Sequence, residues 1–174
     1  MRNKKLIIIG AGMYGLLVKE IADSMGCYES ISFADDNLDM TKHGDKVFLK
    51  LKDIKHLNDA SAFFIVAIGN SKVRRSILDS LIECGANVET LISPYAYVSP
   101  SATVGEGCII EPMAVLNTDV VLGSGCIVSA GAVLNHACVC EKCVHIDCNA
   151  TVSGYSRVPE MTKVDCGKVF REQI

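Results

Sequence analysis

Four residues, His136, Gly154, His145 and Asp119, have the types and spacing that acyl transfer needs. A neutral imidazole takes a proton near pH 7, and a backbone N–H left uncovered by a glycine can face a developing oxyanion. His136 and Gly154 are 18 residues apart, as are Asp119 and Ala137. That separation matters because the chain repeats every six residues from Val98 onward. An aliphatic side chain recurs at Val98, Val104, Ile110, Leu116, Leu122, Val128 and so on to Val164, with Cys140 in the one irregular slot. A small residue such as Ala102, Cys108, Ala114 or Cys126 follows four places later. Three such strands make one triangular coil of about 18 residues, in which residues 18 apart stack at roughly 4.8 Å. Gly154 then lies directly over His136, and Asp119 beneath Ala137, where its carboxylate could orient the histidine. His145 falls on the next face, where it could line the path of an acyl donor. The competing reading of His136 is an ordinary surface histidine, and the stacking of Gly154 argues against it.

A second constellation is Gly10-Ala11-Gly12-Met13-Tyr14-Gly15, a glycine turn between a strand and a helix. Such a turn lets the backbone approach a phosphate, and the helix start adds uncommitted N–H groups. Asp35-Asp36 follows the second strand, where a carboxylate can accept from ribose hydroxyls. The turn fits a nucleotide-sugar, with diphosphate at Gly10, Gly12, Tyr14 and Gly15 and ribose or base near Asp35 and Asp36. The alternative is a tight turn with solvated aspartates. Gly69-Asn70 ends the third strand, where open sheets bind ligands, but Asn70 is equally suited to cap a helix. Arg74 and Arg75 follow, as phosphate ligands or as solvated helix arginines. His43 and His56 lie in polar stretches and carry no signal.

The elements that must position these residues fall into two regions. Residues 1–92 alternate: strand Lys5–Ile9, helix Met13–Met25, strand Ser30–Phe33, strand Ala62–Ile68, helix Lys72–Cys84, strand Asn87–Leu91. That order predicts a Rossmann-like α/β parallel sheet covered by helices. At Ser93-Pro94 the helical period stops, and residues 93–174 predict a β-helix of about four coils, with Phe170–Ile174 as its cap.

The 174 residues carry a net charge of −3, with no basic stripe for nucleic acid. No apolar run is long enough for a membrane span or a signal peptide, so a cytoplasmic protein is expected. Of nine cysteines, Cys108, Cys126 and Cys138 occupy the small inward slot, so thiols in a core are favoured over disulfides. The run Cys138-Val139-Cys140-Glu141-Lys142-Cys143 resembles a metal cluster, but core positions claim two of its sulfurs; no metal is expected.

Taken together, the glycine turn, Phe33-Ala34-Asp35-Asp36, Ala67-Ile68-Gly69-Asn70, Asn135-His136-Ala137-Cys138-Val139 and Val144-His145-Ile146 resemble the bacterial PglD/NeuD-type sugar acetyltransferases. The resemblance spans nearly the whole chain. It implies a left-handed β-helix and a homotrimer with acetyl-CoA in the cleft between adjacent coils. It further implies His136 as general base, His145 near the thioester, the Gly154 N–H as oxyanion donor, and direct transfer without a metal. The activity implied is N-acetylation of a UDP-linked amino sugar for surface glycan synthesis; O-acetylation of a sialic acid or related sugar is the alternative. Three departures stand out. The family carries a carboxylate after the base histidine, here Ala137; its glycine turn ends Gly-His-Gly, here Met13-Tyr14-Gly15; its coils continue past the length of this chain, which ends 20 residues after Gly154. Ala137 and the short coil keep a second class open, a nucleotide-sugar-binding or scaffolding trimer that has lost catalysis, with part of the CoA cleft missing. An NAD-linked oxidoreductase ranks third, because the chain offers no substrate domain for one.

Overall fold

The computed structural model describes residues 4–36, 48–49 and 60–172. His43, His56 and the end of the expected C-terminal cap lie outside them. Strands β1 (Lys4–Ile9), β2 (Tyr28–Ala34), β3 (Phe48–Leu49), β4 (Ala62–Val66) and β5 (Asn87–Val88) form one sheet in the order β3-β2-β1-β4-β5. Their pairings are parallel. Helices α1 (Met13–Met25) and α2 (Ser71–Glu83) make the crossovers. The near-continuous apolar run of β1 suits a central strand buried on both faces. The glycine turn holds α1 tightly against β1: a Cβ on Gly15 would lie 2.1 Å from the Gly10 carbonyl oxygen.

The hexads form fourteen two-residue strands, β6 (Leu91–Ile92) to β19 (Val169–Phe170). They sort into three parallel sheets, the faces of a prism. The first face holds β6, β9, β12, β15 and β18; the second β7, β10, β13, β16 and β19; the third β8, β11, β14 and β17. Residues 18 apart pair, as Val115 with Val133 and Ile127 with His145. This is the left-handed hexapeptide β-helix. Stacking starts one strand earlier than the expected Val98: Leu91–Ile92 pairs with Ile109–Ile110 rather than continuing β5. A single apolar pair carries no period of its own, so it reads as the tail of the preceding strand.

The interior column, including Ile110, Leu116, Leu122, Val128, Leu134 and Ile146, is fully or almost fully buried. At the prism corners one residue per hexad takes a left-handed conformation, as at Gly107, Met113, Asp119, Gly125, Gly131 and Ala137. Outward residues of the first face, Leu91, Ile109 and Ile127, are buried against Val18, Ile21 and Ala22 of α1. Burying each such chain contributes roughly 1.5–3 kcal/mol.

Helix α2 meets the corner between the third and first faces. Leu78 lies over Gly107 and Gly125, where a Cβ would come within 3.0 and 2.6 Å of its methyl groups. Arg74 is fully buried there. Its guanidinium donates to the carbonyls of Gly125 (2.7 Å), Cys143 (2.7 Å), Ile68 (2.8 Å) and Gly69 (3.0 Å). Neither sequence expectation for Arg74 holds: it is not solvated, and its donors are committed to the protein. Arg75 pairs with Asp79 and Glu160.

Candidate active site

His136 stands exposed at the corner between the second and third faces. Asn135 Oδ1 lies 2.9 Å from the His136 backbone N and 2.9 Å from its Nδ1. On the other side the ring rests on Gly154: a Cβ there would fall 2.8 Å from Nε2 and 3.0 Å from Cε1. Only glycine leaves the imidazole this position. The Gly154 N–H makes no hydrogen bond among the described residues. Tyr155 packs edge-on against the imidazole, with centroids 5.1 Å apart, and its N–H donates to the His136 carbonyl (3.2 Å). Asp119 does not take the orienting role expected of it. It is exposed, its N–H donates to Ser101 Oγ (3.0 Å), and its side chain makes no bond to His136. The 18-residue ruler stacks Asp119 under the Ala137 backbone, where the Ala137 N–H donates to the Thr118 carbonyl, but does not turn its carboxylate toward the neighbouring column.

His145 lies farther round than the next face. It belongs to β15, on the first face, which packs against α1. In a triangular section that face is opposite the corner holding His136, so one chain does not bring the two histidines together. His145 Nε2 lies 3.2 Å from Ser129 Oγ, which donates to Glu111 Oε1 (3.2 Å); Glu111 Oε2 accepts from the Ala130 N–H (3.0 Å). With the single Ser129 proton directed to Glu111, its oxygen accepts from Nε2–H. Nδ1 is then bare, and it is buried without a partner. Burial lowers the His145 pKa to about 4, so the ring is neutral around pH 7, and burial likewise raises that of Glu111. Glu111 and Ser129 escaped the sequence reading, although the same 18-residue step links them.

The glycine turn lies at the top of β1. Gly10 takes φ 105°, and the Ala11 N–H donates to Asp35 Oδ2 (2.9 Å), so Asp35 braces the turn itself. Gly12 is the exposed N-cap of α1, with no side-chain cap, no acidic residue in the first turn and open space around it. These N–H groups are what an anionic diphosphate needs. Asp36 is exposed nearby in sequence. Tyr14 instead packs into the junction with the coil. Its hydroxyl is buried beside Glu111, and burial together with that carboxylate holds its pKa well above the usual phenol range. Asn70 is the helix cap of its two readings: Oδ1 accepts from the N–H groups of Lys72 and Val73, both at 3.1 Å. Gly69, exposed beside it, gives its carbonyl to Arg74.

Among the described residues no group of three or more His, Cys, Asp or Glu side chains is arranged for a metal, and no helix is long and apolar enough to cross a membrane. Cys138 and Cys140 face the coil interior, while Cys143 lies at the corner under Arg74.

Residues 5–81 match the PglD N-terminal domain, and residues 103–136 match the bacterial transferase hexapeptide of six repeats. The acetyltransferase domain of PglB from Neisseria gonorrhoeae FA1090, solved in complex with acetyl coenzyme A, is 35% identical. It superposes with a TM-score of 0.93 over 98% of this chain and 83% of that one. GDP-perosamine N-acetyltransferase of Escherichia coli O157:H7 is 26% identical over 96% of this chain and 78% of the enzyme. UDP-N-acetylbacillosamine N-acetyltransferase of Bacillus subtilis is 29% identical over 111 residues, 62% of this chain; the chain spans about half, 51%, of that enzyme.

Proposed function

The chain belongs to the PglD/NeuD-type sugar acetyltransferases of the hexapeptide-repeat class, and on that premise we propose that it moves the acetyl group of acetyl-CoA to the amine of a UDP-linked amino sugar. One observation carries this reading: the His136 ring lies over Gly154, whose N–H is uncommitted. The neutral sugar amine attacks the thioester carbon, and the carbonyl electrons move to an oxygen facing the Gly154 N–H. His136 takes the proton released as the nitrogen becomes an amide. Collapse restores the C=O and breaks the C–S bond, and the departing thiolate receives that proton. The diphosphate binds at Gly12 and the first turn of α1, with Asp36 toward the ribose. A cytoplasmic location, where acetyl-CoA is available, is part of the proposal.

The test is thiol release on mixing the protein, acetyl-CoA and a UDP-linked 4-amino sugar, with GDP-linked and unlinked amino sugars beside it. Free CoA and a hydroxylamine-stable acetyl product are expected. A hydroxylamine-labile ester would point to O-acetylation. Nucleotide-sugar binding with no thiol release from any acceptor would favour the catalytically impaired trimer, the reading that Ala137 supports.

We further propose that the working unit is a homotrimer whose sites lie between protomers. The support is that His136 stands opposite the face that carries α1 and its glycine turn. A donor corner on one protomer and an acceptor loop on its neighbour can meet where the two within one chain cannot. Co-refolding His136→Ala with Gly12→Asp, each inactive alone, should restore activity, because mixed trimers pair an intact corner with an intact loop. Recovery absent despite confirmed mixed trimers would place the whole site in one chain and overturn the arrangement.

A further inference from the structure

We propose that Asn135 is the positioning residue for His136, replacing the carboxylate that Ala137 cannot supply. The proposal deepens the acetyl-transfer reading and rests on it for its catalytic consequence. The orientation of the Asn135 amide is decided by the backbone: its Oδ1 accepts from the His136 N–H, which can only donate, so oxygen rather than NH2 faces that point. The same oxygen lies 2.9 Å from Nδ1. An oxygen without a proton requires Nδ1 to carry one, and the ring's lone pair is then on Nε2, the atom nearest the position of an absent Gly154 Cβ. The edge of Tyr155 restrains the ring further. Ala137, held at φ 53° and tied to Thr118 through its N–H, has no side chain that could do this.

The replacement changes the chemistry in one respect. A carboxylate fixes the tautomer and also stabilises the imidazolium by its charge; an amide fixes the tautomer alone. The other titratable side chains along this corner are Asp119 on the coil below, Tyr155 on the coil above, and Arg171 and Glu172 one coil higher, with Cys138 turned into the core. Neither Asp119 nor Tyr155 bonds to the ring nitrogens.

Asn135→Ala should lower kcat by about tenfold to a hundredfold, the usual cost of losing an orienting partner, with both KM values within about twofold. Asn135→Asp should recover most of that rate. Its negative charge favours the imidazolium, so the acid limb of the kcat profile should move to higher pH by about one unit or more. A role confined to the turn backbone would leave the imidazole tautomer unchanged in Asn135→Ala. Independently of activity, nitrogen-15 NMR of the wild-type imidazole should show Nδ1 protonated and Nε2 bare, and in Asn135→Ala a mixture of tautomers. Protonated Nε2 in the wild type overturns the proposal even if Asn135→Ala does not fold. So does an unchanged kcat with an unchanged acid limb in both variants. If instead the tautomers behave as stated and no acetyl transfer is found, the positioning role stands and the acetyl-transfer reading is the one that fails.

Discussion

His136→Ala should reduce acetyl transfer by about 10²- to 10⁴-fold while leaving acetyl-CoA affinity within a few fold. The loss follows from what else is within reach. Asp119 is turned to solvent and bonded through its backbone to Ser101, and His145 is across the prism, half-buried and neutral. Among the described residues of one chain, no other imidazole lies at this corner to take the proton as the amide forms. Gly154→Ala should give a loss of similar order by a different route. A methyl group 2.8 Å from Nε2 cannot coexist with the present ring position, so the imidazole must rotate off Asn135 and away from the Gly154 N–H. Initial rates of thiol release, with acetyl-CoA binding by calorimetry, check both variants. A His136→Ala protein within threefold of the wild-type rate would remove His136 from the chemistry, whatever Gly154→Ala does.

Why the corner was legible in the sequence and its wiring was not is a matter of period. In a hexapeptide coil the inward aliphatic slot must repeat, because each coil buries its edge only on the next. Counting from Val98 therefore placed Gly154 over His136 from spacing alone. The same count identifies columns and says nothing of side-chain direction. It stacked Asp119 under Ala137, but the side chain that reaches the imidazole is Asn135, its chain neighbour. It put His145 one face too near, because strand β14 and a further corner separate it from His136. In the α/β region, helix Met13–Met25 was readable to the residue from its apolar spacing and bounding glycines. Leu91, the end of the expected strand Asn87–Leu91, belongs instead with Ile92 to the coil, because only their partners at Ile109–Ile110 define the pair. Tyr14 was read with the glycine turn that precedes α1, yet the helix turns its ring into the junction with the coil. Arg74 was the least legible residue. A helical arginine is ordinarily solvated, and nothing local announces carbonyl partners 51 and 69 positions away.

Replacing Arg74 with Ala should therefore destabilise the protein by about 3–5 kcal/mol, since each buried carbonyl left unpaired costs about 1–3 kcal/mol. For a chain of this size that corresponds to a fall in Tm of about 6–20 °C. Among the described residues no carboxylate lies beside the charge that Arg74 carries into the junction. It is solvated instead by the carbonyls of Gly125 and Cys143 on the coil, by those of Ile68 and Gly69 at the end of β4, and by Ser71 Oγ (3.3 Å). Burial lowers its pKa, yet a guanidinium keeps its proton under any working condition. Arg74→Lys should rescue little: one ammonium on a flexible stem cannot present donors in the diverging directions these carbonyls require. The functional consequence follows from position. Arg74 ties the β4 exit and α2 to the same coil levels that carry Cys126 and Val144, next to β12 and β15. It thereby fixes the height of the α/β region, and of its glycine turn, along the prism. At temperatures where Arg74→Lys remains folded, KM for the nucleotide-sugar should rise several-fold with KM for acetyl-CoA unchanged, because the loop shifts relative to the coil while the His136 corner does not. A Tm within about 2 °C of wild type for Arg74→Ala would show that the apolar contacts of α1 with Leu91, Ile109 and Ile127 hold the two regions together without it.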